Sequence, residues 1–304
     1  MAWLAAAASN TIHAVCTDPP YGVVEFTEKE LAKLRAGRGG IWRLPPRLNG
    51  VERDPLPRFT VLTEQERQGI EDHFFNFGKR LLPVVVPGGH VCIAGNSILQ
   101  HYVQRALGRA GFEVRTTIIR LYRGFRGGDR PKNAELEFPE VCVTARGNYE
   151  PWMLFRKPLS EKTVAQNLRK WGTGGLRRLN AERPFPDVIV SGKTPKREEA
   201  ISSHPCLKPQ HFMRLVTRSL LPLGEGVVLD PFMGAGSTIA AAECLGYESI
   251  GIERDQVYYE EAVRAVPCLA ALYPRFKGDV FEMELAGPGA EFSLPAGQLT
   301  LVNV

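Results

Sequence analysis

The sequence predicts an α/β fold, an open sheet of mainly parallel strands with helices on both faces, from three observations. First, Val227 to Asp230 is an apolar run that ends in an acid. A small-residue loop, Gly234-Ala235-Gly236, and a helix-forming stretch from Ile239 to Leu245 follow, and then a second strand pattern from Ser249 to Glu253. Second, Ile12 to Thr17 is another short apolar strand pattern, and it delivers Asp18-Pro19-Pro20-Tyr21 at its C-terminal end. Third, strand and helix periods alternate between these two points, and 304 residues are enough for a full α/β core with one small extra region.

In chain order, Met1 to Ala8 reads as part of a helix, and Ile12–Thr17 as the first strand. Residues 22–72 are rich in proline and glycine and read as an excursion. It returns through an amphipathic helix from Thr63 to Leu82, with Ile70, Phe74, Phe77 and Leu81 on one side. Pro87-Gly88-Gly89 predicts a turn into a buried strand, His90 to Gly95, and a helix from Ser97 to Leu107 follows. Glu113–Tyr122 and Glu140–Ala145 predict further strands. Pro209 suits the first turn of a helix from Gln210 to Leu221. A last helix, Val257 to Val266, is expected to stop at Pro267, and the tail beyond Glu284 to be loosely held.

Composition narrows the function classes. No apolar run approaches the length that crosses a membrane, and the six scattered cysteines form no C-x-x-C pair, as in a reducing cytoplasm, so a metal site is not expected. The net charge is +5, and the segment 120–200 carries more than all of that excess. Within it Arg123, Arg126 and Arg130 stand among glycines, and Arg169, Lys170, Arg177 and Arg178 flank Trp171, a mixture suited to phosphates and bases.

The glycine loop points to an adenosine. Glycines admit close backbone approach, a helix start offers free N–H groups, and Glu253, 19 residues past Gly234, can accept ribose hydroxyls. Position 239 is Ile rather than a third glycine and Ser237 stands where a phosphate loop needs Lys, so a pyrophosphate is not the indicated ligand. Asp18 and the Pro19 carbonyl lie where ligands of open parallel sheets sit, and Pro19 and Pro20 fix their backbone.

Together, Asp18-Pro19-Pro20-Tyr21, then His204-Pro205-Cys206-Leu207-Lys208-Pro209, then Asp230-Pro231-Phe232-Met233-Gly234-Ala235-Gly236-Ser237-Thr238 resemble the beta class of amino DNA methyltransferases. The resemblance spans roughly positions 3 to 272, with a catalytic motif that precedes the cofactor loop. It implies a Rossmann-like class I methyltransferase sheet in circularly permuted order, with an inserted target-recognition region. On that reading 1–122 is the catalytic half, 123–203 target recognition, 204–284 the cofactor half and 285–304 a tail. The resemblance assigns S-adenosylmethionine to Asp230, Phe232, Gly234, Gly236, Ser237, Thr238 and Glu253, with Lys208 and Pro209 near its methionine end. It assigns catalysis to Asp18, Pro19, Pro20 and Tyr21. Double-stranded DNA is the implied partner, met by Arg123, Arg126, Arg130, Arg169, Lys170, Arg177 and Arg178, and a homodimer is compatible with it. Asp at the head of the tetrapeptide leans toward adenine N6 in this class, with cytosine N4 as the alternative and an RNA or small-molecule methyltransferase after it, and restriction–modification is the implied setting. Two departures stand out: Cys206-Leu207 replaces the usual Thr-Gln, and the usual Gly-Asp before the first helix is missing, for which Gly278-Asp279 is a candidate substitute. Pro205-Cys206 and Pro267-Cys268 echo the nucleophile of ring-carbon methyltransferases but read as incidental.

Overall fold

The computed structural model describes residues 2–20, 47–48, 51–52, 62–122, 130–131, 133–145, 147–202, 204, 206–273 and 300–301. Strands β1 (Ile12–Thr17), β4 (Val85–Ala94), β5 (Glu113–Leu121), β6 (Tyr149–Arg156), β7 (Val188–Val190), β8 (Val227–Asp230), β9 (Glu248–Gly251) and β10 (Thr300–Leu301) form one sheet. Its order is β10-β9-β8-β1-β4-β6-β5-β7. β2 (Arg47–Leu48) and β3 (Val51–Glu52) form a separate antiparallel pair. β1 lies parallel to both β4 and β8, whereas β6 runs antiparallel to β4 and β5.

After β1 the chain moves to β4 on one side; after β8 it moves to β9 on the other. The C-terminal ends of β1 and β8 therefore flank the point where the winding direction reverses, which is where open α/β sheets bind ligands. We call this the catalytic edge of the sheet.

Strand alternation sorts the core onto two faces. Val15, Val91, Ile93, Met153, Phe155 and Leu229 pack with Phe74, Phe77 and Leu81 of α2 (Glu64–Val84) and Val103 and Leu107 of α3 (Gln100–Ala110). Their neighbours Ala14, Cys16, Cys92, Ala94, Trp152, Leu154 and Val228 face α6 (Gln210–Leu220) through Phe212, Leu215 and Val216. The small residues of β1 and β4 on this second face leave room for the Phe212 ring. Two further helices, α7 (Ser237–Cys244) and α8 (Gln256–Ala271), close a third cluster around Ile239, Val266 and Leu269. The short helices α1 (Ala2–Ala6), α4 (Val164–Trp171) and α5 (Lys196–Glu199) complete the described elements.

Several boundaries depart from expectation. Residues 140–145 are exposed and form no strand; the strand is Tyr149–Arg156, whose Glu150 and Pro151 mask an apolar run that is buried on both faces. Pro87-Gly88-Gly89 is not a turn ahead of β4 but an irregularity within it: the register runs from Ile12↔Val85 directly to Ala14↔His90. Pro267 does not stop α8, because it sits on the exposed side while Ala265, Val266, Leu269 and Ala270 continue the buried stripe. Burial of that stripe outweighs the roughly 3 kcal/mol that an interior proline costs. In the tail, Thr300–Leu301 pairs with β9, while Gly278-Asp279 and the rest of the excursion from 21 to 61 outside β2 and β3 lie beyond the described residues.

Candidate active site

Both acidic motif residues sit at the catalytic edge. Asp230 is the last residue of β8 and is buried; its Oδ1 accepts from Thr17 Oγ1 at 2.6 Å and from the Phe232 N–H at 3.2 Å. Burial pushes its carboxyl up to about 6, against the hydrogen bonds from Thr17, Thr238 and Phe232 that favour ionisation. A carboxylate held dry and under-compensated in this way is a natural seat for a cation. Asp18 follows the last residue of β1 and lines the same cavity, with Lys208, Phe232, Met233, Gly234, Ser237, Thr238, His204 and Trp152.

Backbone conformation makes the loop a cradle. Gly236 caps α7 with φ 76°, and a Cβ there would stand 2.4 Å from Val266 Cγ2; at Gly234, φ 48°, a Cβ would meet the His204 ring at 2.9 Å. Only glycine serves at either position. Below the loop Glu253 is fixed by three backbone donors: Gly234 N–H at 3.0 Å to Oε2, and Arg254 and Asp255 N–H at 2.7 and 2.8 Å to Oε1. The His204 ring packs edge-on against Tyr258 at 4.5 Å and shields the loop from the other side; burial lowers its pKa.

Lys208 joins the two halves of the site. Its main-chain N–H donates to Ser237 Oγ at 3.1 Å, and Gln210 Nε2 donates to the Ser237 carbonyl at 3.0 Å, so the loop before α6 is tied to the start of α7. Its ammonium, however, turns to the catalytic half: it is bonded to Asp18 Oδ2 and lies 3.5 Å from Glu150 Oε1. Burial works against this charge, but Asp18 and Glu150 outweigh it and raise the pKa above the ordinary lysine range. Glu150 in turn accepts from Arg120 Nη1 at 3.1 Å and Trp152 Nε1 at 3.0 Å. Burial opposes its ionisation too, yet Lys208, Arg120 and Trp152 hold its carboxyl below the usual range.

Glu150, Arg120, Trp152 and His204 were not among the site residues expected from sequence. A carboxylate inside an otherwise apolar strand, as in Tyr149-Glu150-Pro151-Trp152, is the signal that could have revealed the first. Cys206, read as incidental, lines the cavity beside Asp18.

The described basic residues do not form one surface. β5 ends and β6 begins at the catalytic edge, joined by the Tyr122 N–H to the Asn148 carbonyl at 2.9 Å, so the connection between them springs from that edge. Arg130 belongs to it, with its Nε 2.9 Å from the Pro139 carbonyl; Arg123 and Arg126, like Tyr21, lie outside the described residues. Arg169, Lys170, Arg177 and Arg178 instead occupy the opposite edge. Asn167 of α4 binds the Pro87 carbonyl in the first half of β4, and Arg177 donates to Tyr247 ahead of β9 at 3.0 Å. Arg178 donates to the Ala181 and Glu182 carbonyls, and Lys170 pairs with Glu161 at 2.5 Å. A six-residue strand separates the two edges by about 20 Å. These four cations therefore lie at the edge away from Asp18, because β6 carries the chain across the sheet.

A family model described as DNA methylase, of the N6/N4 type, matches residues 12–264. Type II methyltransferase M.HindIII of Haemophilus influenzae is 24% identical over 278 residues, covering 84% of this chain and 89% of that protein. Among solved structures, the PvuII DNA methyltransferase (cytosine-N4-specific) aligns with TM-score 0.55 and 15% identity over 88% of this chain and 87% of the other. The putative DNA modification methylase TTHA0409 of Thermus thermophilus, complexed with S-adenosyl-L-methionine, aligns with TM-score 0.54 and 18% identity over 88% and 90%. At these identities the two structures establish a shared fold, that of class I methyltransferases.

Proposed function

The chain belongs to the N6/N4 DNA methylase family, and on that premise we propose that it methylates the exocyclic amine of a base flipped out of duplex DNA, with adenine N6 as the target. The observation that carries this reading is the meeting, at one edge of the sheet, of Asp18 with the glycine cradle and buried Asp230. The residues present fit S-adenosylmethionine. Asp230 would hold its ammonium, Ser237 and Thr238 its polar methionine end, Phe232 and the cradle its adenosine, and Glu253 its ribose hydroxyls. When bound, that cofactor supplies an electrophilic sulfonium methyl.

The chain's own residues act on the amine. Its lone pair is delocalised into the ring, so attack requires the nitrogen to pyramidalise. Hydrogen bonds from its two N–H groups to the Asp18 carboxylate and the Pro19 carbonyl favour that geometry and stabilise the positive charge that develops. The amine would receive the methyl that the cofactor supplies and release its surplus proton to solvent. The target base cannot reach Asp18 inside a duplex, so it must be extruded, with Tyr21 as its stacking surface.

Target recognition falls to the β5–β6 connection, because it springs from the same edge of the sheet as Asp18, and DNA as substrate implies a cytoplasmic enzyme. Among the described residues no helix is long and apolar enough to cross a membrane. Nucleoside analysis of DNA from cells expressing the chain tests the reading: N6-methyladenine is expected, N4-methylcytosine would move the target to cytosine, and neither would remove the function.

A further inference from the structure

Four groups of alternating charge run inward from the catalytic edge, the half-buried Asp18 and then the buried Lys208, Glu150 and Arg120. The inner end is rigid. Arg120 donates to Ser191 Oγ at 3.1 Å and to the Gly192 carbonyl at 3.0 Å, and lies over the rings of Phe212 and Tyr122. It and Trp152 both engage Oε2 of Glu150, which leaves Oε1 facing the Lys208 ammonium at 3.5 Å. Lys208 itself is on Asp18. That arrangement conflicts with transfer, since a carboxylate oxygen that neutralises an ammonium is a poorer acceptor for an amine. In a site this dry the ammonium needs another anion before it can leave.

We propose that Glu150 is a positioning residue for methyl transfer: it is the second seat of the Lys208 ammonium, which moves from Asp18 to Glu150 as the target amine arrives. The inference rests on the reading of Asp18 as acceptor for that amine. The movement is small, under about 1 Å to reach hydrogen-bond distance from Glu150 Oε1. It also conserves charge pairing, because the amine that displaces Lys208 gains positive charge beside Asp18 during the reaction. Among the described residues, the other polar groups that line the same cavity are Cys206 and His204 from the loop before α6, Asp230 from β8, and Ser237 and Thr238 at the start of α7, and none of them offers Lys208 a closer anion than these two.

A double-mutant cycle on the full chain, with labelled S-adenosylmethionine and duplex DNA, tests this. Glu150→Gln keeps the shape but removes the second seat, so kcat is expected to fall by about tenfold or more with cofactor Kd unchanged. In a Lys208→Met background, the same substitution is expected to cause no further fall, because Glu150 acts only through Lys208. Glu150→Asp keeps the charge at shorter reach; its fall is intermediate, and the same cycle is read from it should Glu150→Gln not fold. A normal kcat in the Glu150 variants, or an undiminished fall in the Lys208→Met background, would overturn the inference while leaving the functional reading in place. A wild-type protein that transfers no methyl to duplex DNA would remove both.

Discussion

Asp230 shows how one side chain can be set up for a ligand at the expense of the free protein. Its carboxyl titrates at about 6 in the fold against 3.8 when unperturbed, so its contribution to stability is fully present below 3.8 and is lost as pH rises through about 6. A shift of this size corresponds to about 3 kcal/mol. Asparagine keeps an acceptor for Thr17 and does not titrate. The stability of Asp230→Asn relative to wild type, from urea midpoints without cofactor, is therefore expected to rise between about pH 4 and pH 7 by up to about 3 kcal/mol. A difference that stays flat across that range would mean that burial does not strain this carboxylate. On the proposed reading, the ammonium of the cofactor would remove that strain when bound.

At the scale of elements, the strand–loop–helix of β8 and α7 depends on Gly236. Replacing it with Ala forces a left-handed backbone costing about 1–3 kcal/mol and adds a contact with Val266 that α8 must move to relieve. Gly246→Ala is the internal control: its φ is also positive, 72°, but nothing lies within 4 Å of its Cβ. Denaturant unfolding should place Gly236→Ala well below Gly246→Ala, and equal losses would mean that packing against α8 is slack. This element was legible in sequence because its signals are local: an apolar run, small residues, a helix former. β6 was not, since Glu150 and Pro151 interrupt its apolar pattern, and the acid is tolerated there because Arg120, Trp152 and Lys208 satisfy it. Nor was the end of α8, where Val266 and Leu269 bury a stripe that carries the helix past Pro267. Local chemistry marks motifs; partners distant in sequence decide which exceptions are tolerated.

For the whole molecule, sheet topology decides where DNA can lie. Of the described cations, Arg130 belongs to the connection at the Asp18 edge, whereas Arg169, Lys170, Arg177 and Arg178 lie beyond β6 at the other edge. Binding at the Asp18 edge predicts that neutralising Arg123, Arg126 or Arg130 lowers the slope of log affinity against log salt by about 0.9 each, where it meets a phosphate. Neutralising Arg169 and Lys170 should leave the slope unchanged, and a slope that responds only to this second pair would place the duplex on the far edge. The central claim, that Asp18 acts on the amine while the Asp230–Glu253 unit holds the cofactor, is tested most directly by measuring methyl transfer to duplex DNA and cofactor affinity side by side in Asp18→Ala. The account predicts that transfer is almost abolished while cofactor binding stays within about threefold of wild type, as expected for an interaction made only during reaction. Near-normal turnover in that variant would contradict it.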